Sequence, residues 1–183
     1  GIMPIRMEVE TLTTDPERHS PVVVLREIGG SRTLPIWVGV VEASWMAFEL
    51  EETRLPRPLT LDLLCTTITA LNATVKEITL VDLQDNVYLC TITLRQGNET
   101  IVIDARPSDA IALAMRFKTP ILCLAQVIAR AELLCAQASR QKIKKENPSK
   151  ELLHEDELSD VENENLLTIL EDLELSRNTK YKT

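Results

Sequence analysis

The residues with the most evident chemistry stand in one short run, Asp104-Ala105-Arg106-Pro107-Ser108-Asp109. This run offers two carboxylates, a guanidinium and a hydroxyl, which can bind an anion or hold a hard cation through the acids. The same groups also suit a purely structural role, in which Ser108 caps a helix and the acids pair with the arginine. The residue types alone leave both interpretations open.

The elements on either side of this run predict how it is held. Residues 99–105 are rich in β-branched side chains and predict a strand, whereas residues 109–117 are strong helix formers. Pro107 favours an extended Arg106, Ser108 is suited to the N-cap, and Asp109 then stands in the first turn near the positive end of the helix dipole. We therefore expect a strand-to-helix corner, and we call residues 104–109 the corner.

The rest of the chain alternates between strand-like and helix-like patterns. Strands are predicted at residues 4–13, 22–28, 33–38, 74–83, 87–95, 99–105 and 121–124, and helices at residues 40–52, 60–71, 109–117 and 126–138. Asp85-Asn86 and Gly97-Asn98 are turn signals that predict an antiparallel meander. The expected fold is α+β, with a mixed, largely antiparallel β-sheet and helices packed on it.

Two of these helices carry apolar stripes. In the first helix, the stripe consists of Val41, Trp45, Met46, Phe48 and Leu50, so we expect Trp45 and Phe48 in the core and not on a base-stacking surface. The second helix is predicted to begin with Thr60 as its cap. Its predicted buried face consists of Leu61, Leu64, Cys65, Ile68 and Leu71.

Further charged residues stand near the starts of the first two helices. Glu42 and Asp62 each fall in a first turn, where a carboxylate complements the dipole and is also able to bind a metal ion. Arg54 and Arg57 lie on a short, proline-rich loop and suit contacts with phosphate, although exposed ion pairs account for them equally well.

Three ordered stretches resemble the bifunctional nuclease domain family. They are Asp-Ala-Arg-Pro-Ser-Asp-Ala-Ile-Ala-Leu-Ala from Asp104, Leu-Pro-Ile-Trp-Val-Gly from Leu34 followed by Glu42-Ala43, and Arg-Pro-Leu-Thr-Leu-Asp-Leu-Leu from Arg57. The resemblance covers roughly residues 3–130. It implies a small α+β protein that acts as a nuclease on DNA, RNA or both. Leu61 stands where the family often has histidine and Val40 where it commonly has proline, so this chain lacks an imidazole that is a candidate base or ligand.

On this resemblance, the first functional hypothesis is a metal-assisted phosphodiesterase. Hydrolysis needs an activated water and stabilisation of the charged transition state, and Mg²⁺ or Mn²⁺ on oxygen ligands supplies both. The expected ligands are Asp104 and Asp109, with Glu42 and Asp62 joining them if the helix starts converge. Arg106 would then hold the phosphate, Ser108 would orient the corner, and the loop arginines Arg54 and Arg57 would bind substrate.

Two other hypotheses remain open at this stage. The corner is equally able to serve a non-enzymatic module that binds an anion or a protein partner in regulation. Alternatively, the aliphatic residues 121–138 form a contact between subunits, and we expect a homodimer in either case. Nucleic acid is the partner that the nuclease hypothesis requires.

Composition limits these choices. The formal net charge of −8 argues against a nonspecific coat on nucleic acid, which needs clustered lysine and arginine. The four cysteines are widely spaced without a paired motif and predict buried free thiols in a cytoplasmic protein, and with two histidines a zinc site is not expected. The chain has no apolar run long enough to predict a membrane span.

The C-terminal part differs in character. Residues 140–150 hold five basic residues and one glutamate and predict a linker, whereas residues 151–174 are acidic, with Leu166, Leu170 and Leu173 at helical spacing. We therefore divide the chain into an α+β domain at residues 1–138 and a basic linker with an acidic, amphipathic helical tail at residues 139–183. A solvated tail and a tail that covers a basic groove both fit the pattern.

Overall fold

The computed structural model describes the backbone of residues 3–146 and the side chains of residues 3–138. The elements in chain order are β1 (Ile5–Asp15), β2 (Ser20–Glu27), β3 (Thr33–Trp37), α1 (Val40–Leu50), α2 (Thr60–Ala70), β4 (Ala73–Gln84), β5 (Val87–Gln96), β6 (Glu99–Ala105), α3 (Pro107–Phe117), β7 (Ile121–Cys123) and α4 (Ala125–Glu146). Residues 1–128 form one compact unit. Residues 129–183 form a second, of which only the continuation of α4 is described.

The seven strands form one sheet in the order β3-β2-β1-β7-β4-β5-β6. Every neighbouring pair is antiparallel except β4 and β7, which are parallel. The predicted α+β fold with a mixed, largely antiparallel sheet is therefore confirmed. The two short turns predicted in the meander are also confirmed, since Asp85 and Asn86 have φ values of 48° and 63° and Gly97 has a φ of 58°.

The sheet is strongly curved. Four strands separate β3 from β5 in the sheet order, yet the Tyr88 hydroxyl on β5 lies 3.5 Å from the Pro35 carbonyl oxygen on β3. Four successive residues of β2, 22–25, are buried, so both faces of this strand are covered. The curvature brings the end of β3 towards the β4–β5 turn, which matters for the site described below.

Helix α3 packs against α1, α2 and the strands β4 and β5, so it lies at the centre of the helical layer. Residues 110–114 of α3 are all buried, with at most 1% of each exposed. This tight packing fixes the corner from its helical side, because the backbone of α3 has no free face near residues 110–114.

The predicted stripe of α1 is partly wrong. Val41 and Leu50 are 59% and 52% exposed, and the buried residues of this helix are Glu42, Ala43 and Met46. The stripe is displaced because Glu42 faces inward to pair with Arg106, the residue that precedes α3. Trp45 and Phe48 are half-buried, so they are only partly in the core.

The predicted inner face of α2 is confirmed at Leu61 and Ile68 and wrong at Leu64 and Leu71, which are 44% and 60% exposed. This helix makes few contacts beyond β4 and α3, so only one narrow side of it is covered. Its cap also differs from the prediction. Thr60 is the first helical residue, and the Asp62 carboxylate accepts a hydrogen bond from the Leu59 backbone N–H at 2.8 Å.

The predicted subunit contact at residues 121–138 needs correction at its start. The strand β7 lies between β1 and β4 in the middle of the sheet, and Ile121 and Cys123 are buried there, so they are not available to a second subunit. The exposed aliphatic strand is instead β6 at the sheet edge, where Val102 is 62% exposed. The expected homodimer stays a prediction.

The remaining expectations about the chain have mixed outcomes. All four cysteines are free thiols; burial raises the pKa of Cys90 and Cys123 to about 12 and that of Cys65 to about 11.

Helix α4 continues through residues 140–146, where the sequence predicted a linker. The predicted acidic tail lies outside the described residues, and the boundary at residue 138 stays a prediction. No helix in the described part of the chain is long and apolar enough to span a membrane.

Candidate functional site

The corner forms where β6 passes directly into α3. Arg106 is extended, with φ −67° and ψ 143°, and occupies the N-cap, while Pro107 is the first helical residue. The predicted N-cap at Ser108 is therefore wrong. Proline is favoured at the first position because its fixed φ suits the helix and its missing N–H has no helical partner there. Ser108 is buried in the first turn, and Asp109 stands in that turn as predicted.

The guanidinium of Arg106 is held by two carboxylates. Its Nε and Nη2 donate to the two oxygens of Asp109 at 2.8 and 3.0 Å, and Nη2 also donates to Glu42 on α1. Both acids raise the pKa of Arg106, Asp109 more than Glu42. Within the described residues Nη1 forms no hydrogen bond, and the Arg106 side chain is 66% exposed. Asp109 therefore holds the Nε–Nη2 edge and Glu42 accepts from the remaining side of Nη2, so the open edge of the guanidinium consists of Nη1 alone.

Glu42 is placed by the start of α1. A Cβ atom on Gly39, the N-cap residue, would lie 2.2 Å from the Glu42 carboxylate, so glycine is what allows this side chain to fold back over the helix start. The backbone N–H of Glu42 and the guanidinium of Arg106 both lower the pKa of Glu42, and burial opposes them. The carboxylate is thus kept ionised and only 11% exposed.

We expect the substitution Glu42→Gln to remove an acid-sensitive part of the stability. A carboxyl whose pKa is lowered in the folded state stabilises it above its ordinary value of 4.5, and that contribution is lost as the pH falls through the lowered value. The free energy of unfolding at pH 7 should therefore be larger for the native protein than for the Glu42→Gln variant. At pH 3 the difference between the two free energies should be smaller. Urea denaturation at both pH values measures it. An equal difference at both would contradict the assignment.

A groove of about 400 Å³ lies beside the corner. Its walls are residues 36–39 at the end of β3, residues 86–89 at the β4–β5 turn, and residues 104–108 of the corner. Asp104 and Arg106 both line it. They are two residues apart on extended backbone, so their side chains leave the chain on the same side. The exposed Asp104 carboxylate forms no ion pair with any described residue.

Two aromatic residues of this groove, Trp37 and Tyr88, were not among the predicted site residues, although Trp37 stands in one of the three stretches that resemble the family. Trp37 is 44% exposed. Its indole N–H donates to Asp15 at 2.8 Å, and the Arg18 guanidinium carbon lies 4.8 Å from the ring centroid. An aromatic residue at the end of a sheet-edge strand was the available signal, but its relation to the corner depends on the curvature of the sheet.

Asp62 belongs to a different cluster. It pairs with Arg116 of α3, which also lies 2.6 Å from Glu49 of α1, and Arg54 reaches the same Glu49 at 3.2 Å. We call Glu49, Arg54, Asp62 and Arg116 the inter-helix cluster. The side chains of Glu49, Arg116 and Asp62 are 8%, 22% and 27% exposed, so these three are largely withdrawn from solvent, whereas Arg54 is 57% exposed at the edge of the cluster. It joins α1, α2 and α3 near the opposite end of α3 from the corner.

The four predicted acids are therefore divided between two places. Glu42 and Asp109 meet at Arg106, Asp104 lines the adjoining groove, and Asp62 lies in the inter-helix cluster. Among the described residues, no three His, Cys, Asp or Glu side chains are arranged to hold a metal ion. Asp109, one of the two expected metal ligands, already gives both oxygens to Arg106.

The two loop arginines also have different surroundings. Arg54 is committed to Glu49, whereas the exposed Arg57 forms no ion pair with any residue of the described part. Neither lines the groove beside the corner. The structure thus brings together Glu42, Asp104, Arg106, Ser108 and Asp109 of the predicted site residues. It leaves Arg54, Arg57 and Asp62 elsewhere.

Residues 23–135 match the model of the bifunctional nuclease domain. This chain belongs to the bifunctional nuclease domain family. The match spans α1, α2, the corner and α3, and therefore includes Arg106 with its two carboxylates and every residue of the inter-helix cluster.

Relatives in the family come from bacteria and plants. An uncharacterized protein of Mycobacterium tuberculosis is 38% identical over 133 residues, which are 73% of this chain and 79% of the relative. Bifunctional nuclease 1 of Oryza sativa subsp. indica and a bifunctional nuclease of Oryza minuta are each 30% identical over 110 residues. That region is 58% of this chain and 33% of each plant protein.

Proposed function

We propose that this protein is a nuclease that hydrolyses phosphodiester bonds of DNA, RNA or both at the groove beside the corner. The observation that carries the proposal is the Arg106 guanidinium, whose Nε and Nη2 are held by two carboxylates while its Nη1 stays open and the exposed Asp104 lines the same groove. A positioned guanidinium and a carboxylate in one groove supply two requirements of phosphoryl transfer, namely charge stabilisation and a proton acceptor. Membership of the family supports the same reaction class.

The roles follow from the contacts. Arg106 binds the scissile phosphate through Nη1 and stabilises the negative charge that develops on its oxygens as water attacks phosphorus. Asp104 accepts the proton of the attacking water, and the leaving oxygen is then protonated from solvent. Glu42 and Asp109 are positioning residues, because their carboxylates accept hydrogen bonds from Nε and Nη2 and so hold the guanidinium in place.

A role for Mg²⁺ or Mn²⁺ stays a prediction. The donor set at the corner does not fit a metal held by Asp104 and Asp109 as it stands, since Asp109 would have to give up its two hydrogen bonds to Arg106. A divalent ion prefers several oxygen ligands, and Asp104 is the one corner carboxylate that Arg106 does not occupy. We therefore derive no step of the reaction through a metal ion.

A cleavage assay on plasmid DNA and on single-stranded RNA, with Mg²⁺, Mn²⁺ or EDTA, tests this proposal. We expect the native protein to cut at least one substrate and Asp104→Asn to cut about 100-fold more slowly, because an amide does not accept the proton of water. The matched control is Glu99→Gln, an exposed carboxylate at the other end of β6. Activity that survives Asp104→Asn would remove Asp104 from the mechanism, whereas EDTA sensitivity decides the metal question separately.

A non-enzymatic binding module is the second candidate function. It is favoured by the commitment of Glu42 and Asp109 to Arg106, which makes the corner a joint between α1 and α3. In this case the open edge of Arg106 would bind an anionic ligand without turnover. Saturable binding of nucleic acid, together with the absence of cleavage in every metal condition, would support it over the nuclease.

A further inference from the structure

We propose that the groove beside the corner takes one unpaired nucleotide, with its base against Trp37 and its phosphate at Arg106. This inference rests on the proposed function and names the substrate form that the same site selects, namely single-stranded nucleic acid. It follows from the juxtaposition of an exposed, fixed aromatic ring and an open guanidinium edge in one groove of about 400 Å³.

The Trp37 ring is held in one orientation and is partly exposed, as base stacking requires. Its indole N–H, the one polar group of the side chain, is already used by Asp15, so the 44% of the residue that is exposed presents aromatic surface. Asp15 restrains the ring through this hydrogen bond, and the Arg18 guanidinium lies over one face of it, 4.8 Å from the centroid, so a base stacks on the other face. A flat ring that is already fixed loses little conformational entropy when a base stacks on it.

The opposite wall supplies a second ring and an amide. Tyr88 lines the groove with its hydroxyl 3.5 Å from the Pro35 carbonyl oxygen, which places the two walls close together. Asn86 stands at the tip of the β4–β5 turn and also lines the groove. Its side chain can both donate and accept hydrogen bonds, as the polar edge of any base requires. The walls therefore suit the face and the edge of one base.

The size and charge of the groove select an unpaired nucleotide. Its volume is in the range of sites for small ligands, and a base within a duplex has both faces covered by its neighbours. A duplex held along its backbone needs several cations in a row, whereas this groove offers the open edge of one arginine in a chain of net charge −8. We therefore expect binding that depends on stacking more than on backbone charge.

Tryptophan fluorescence tests the inference without cleavage. The chain has two tryptophans, so the Trp45→Phe variant reports Trp37 alone. In EDTA, a 12-residue thymidine DNA and a 12-residue adenosine RNA should each quench this signal to saturation. A blunt 12-base-pair duplex should need at least about tenfold higher concentration. Raising the salt should weaken single-strand binding with a slope of about −0.7 on logarithmic axes, as expected for one phosphate contact.

Two further variants make the result decisive. Trp37→Leu should weaken single-strand binding about tenfold, as loss of one base–aromatic stack does. Trp37→Phe retains a ring, so its affinity for single strands should lie between those of the native protein and Trp37→Leu. The fluorescence of Trp45, which remains in this variant, should not be quenched. Anisotropy of a labelled oligonucleotide measures affinity in both variants, and circular dichroism checks their fold. Equal affinity for duplex and single strand, or unchanged affinity in Trp37→Leu, would overturn the inference.

The inference and the proposed function fail in different ways. Single-strand binding at Trp37 without cleavage in any metal condition would refute the nuclease and leave the nucleotide groove in place. Cleavage that treats duplex and single strands alike, and that Trp37→Leu does not change, would refute the groove as the nucleotide site and leave the nuclease in place.

Discussion

Replacing Arg106 by alanine should lower the rate of nucleic-acid cleavage by about 100-fold or more, which is the loss typical for removing a single donor to a developing anion. Arg106→Lys should not restore the rate. An ammonium group cannot keep the paired hydrogen bonds to Asp109 and also present a second edge to phosphate. Initial rates on the preferred substrate of the native protein measure both variants.

A loss of stability must be separated from this loss of rate. Arg106→Ala leaves Glu42, which is 11% exposed, without its partner, so the protein should also become less stable. Adding Glu42→Gln to Arg106→Ala should recover part of the stability and none of the activity. Arg95→Ala is the matched control, since Arg95 is exposed near the β5–β6 turn and, among the residues that the structure describes, donates only to the Gly97 carbonyl. Near-native cleavage by Arg106→Ala would contradict the proposed site.

The second large effect concerns stability. Arg116→Ala should lower the free energy of unfolding by about 3 kcal/mol, because it leaves Asp62 without its arginine and leaves the Glu49 carboxylate with the exposed Arg54 alone. For a chain of this length, such a loss lowers the midpoint of thermal unfolding by roughly 6–12 °C. Urea denaturation and a thermal scan measure the two quantities.

An exposed pair provides the comparison for this result. Arg26 contacts Glu8 and Glu10 on the surface of the sheet, and its side chain is 45% exposed. Arg26→Ala should cost less than about 1 kcal/mol, as exposed ion pairs do. If Arg116→Ala costs no more than Arg26→Ala, the inter-helix cluster is not a buried network and α1, α2 and α3 are held by apolar packing alone.

The sequence predicts the corner well because its signals are local. The change from strand to helix, the extended Arg106 before Pro107, and Asp109 in the first turn all depend on neighbouring residues. The antiparallel meander is predictable for the same reason, since the two-residue turn at Asp85 and Asn86 fixes the pairing of β4 with β5. Even here the start of the helix is wrong by two residues, since α3 begins at Pro107 and the prediction placed its first residue at Asp109.

The parts that the sequence does not predict depend on contacts between distant segments. Glu42 and Glu49 look like surface residues of an amphipathic helix, and only their arginine partners on α3 explain why they face inward. The inward orientation of these two glutamates is the reason that the buried stripe of α1 differs from the predicted one. Trp37 and Tyr88 become walls of one groove only because the sheet curves enough to bring β3 towards β5.

The sequence left open whether the corner is a neutralised joint or an accessible cleft, and the structure combines the two. The acids Glu42 and Asp109 are occupied by Arg106, as a joint requires, while Arg106 itself stays 66% exposed at a groove. Because two carboxylates already hold the Arg106 guanidinium, its orientation is fixed in the absence of a ligand. Ligand binding therefore requires little reorganisation of this side chain.

The position of β1 has a consequence for anyone who shortens this protein. The family match begins at residue 23, within β2, yet β1 (Ile5–Asp15) lies between β2 and β7 and is bonded to both. Expression from residue 23 would separate the β3–β2 pair, which carries Trp37, from the strands that carry the corner. A minimal recombinant fragment must therefore keep the residues that precede the recognisable family region.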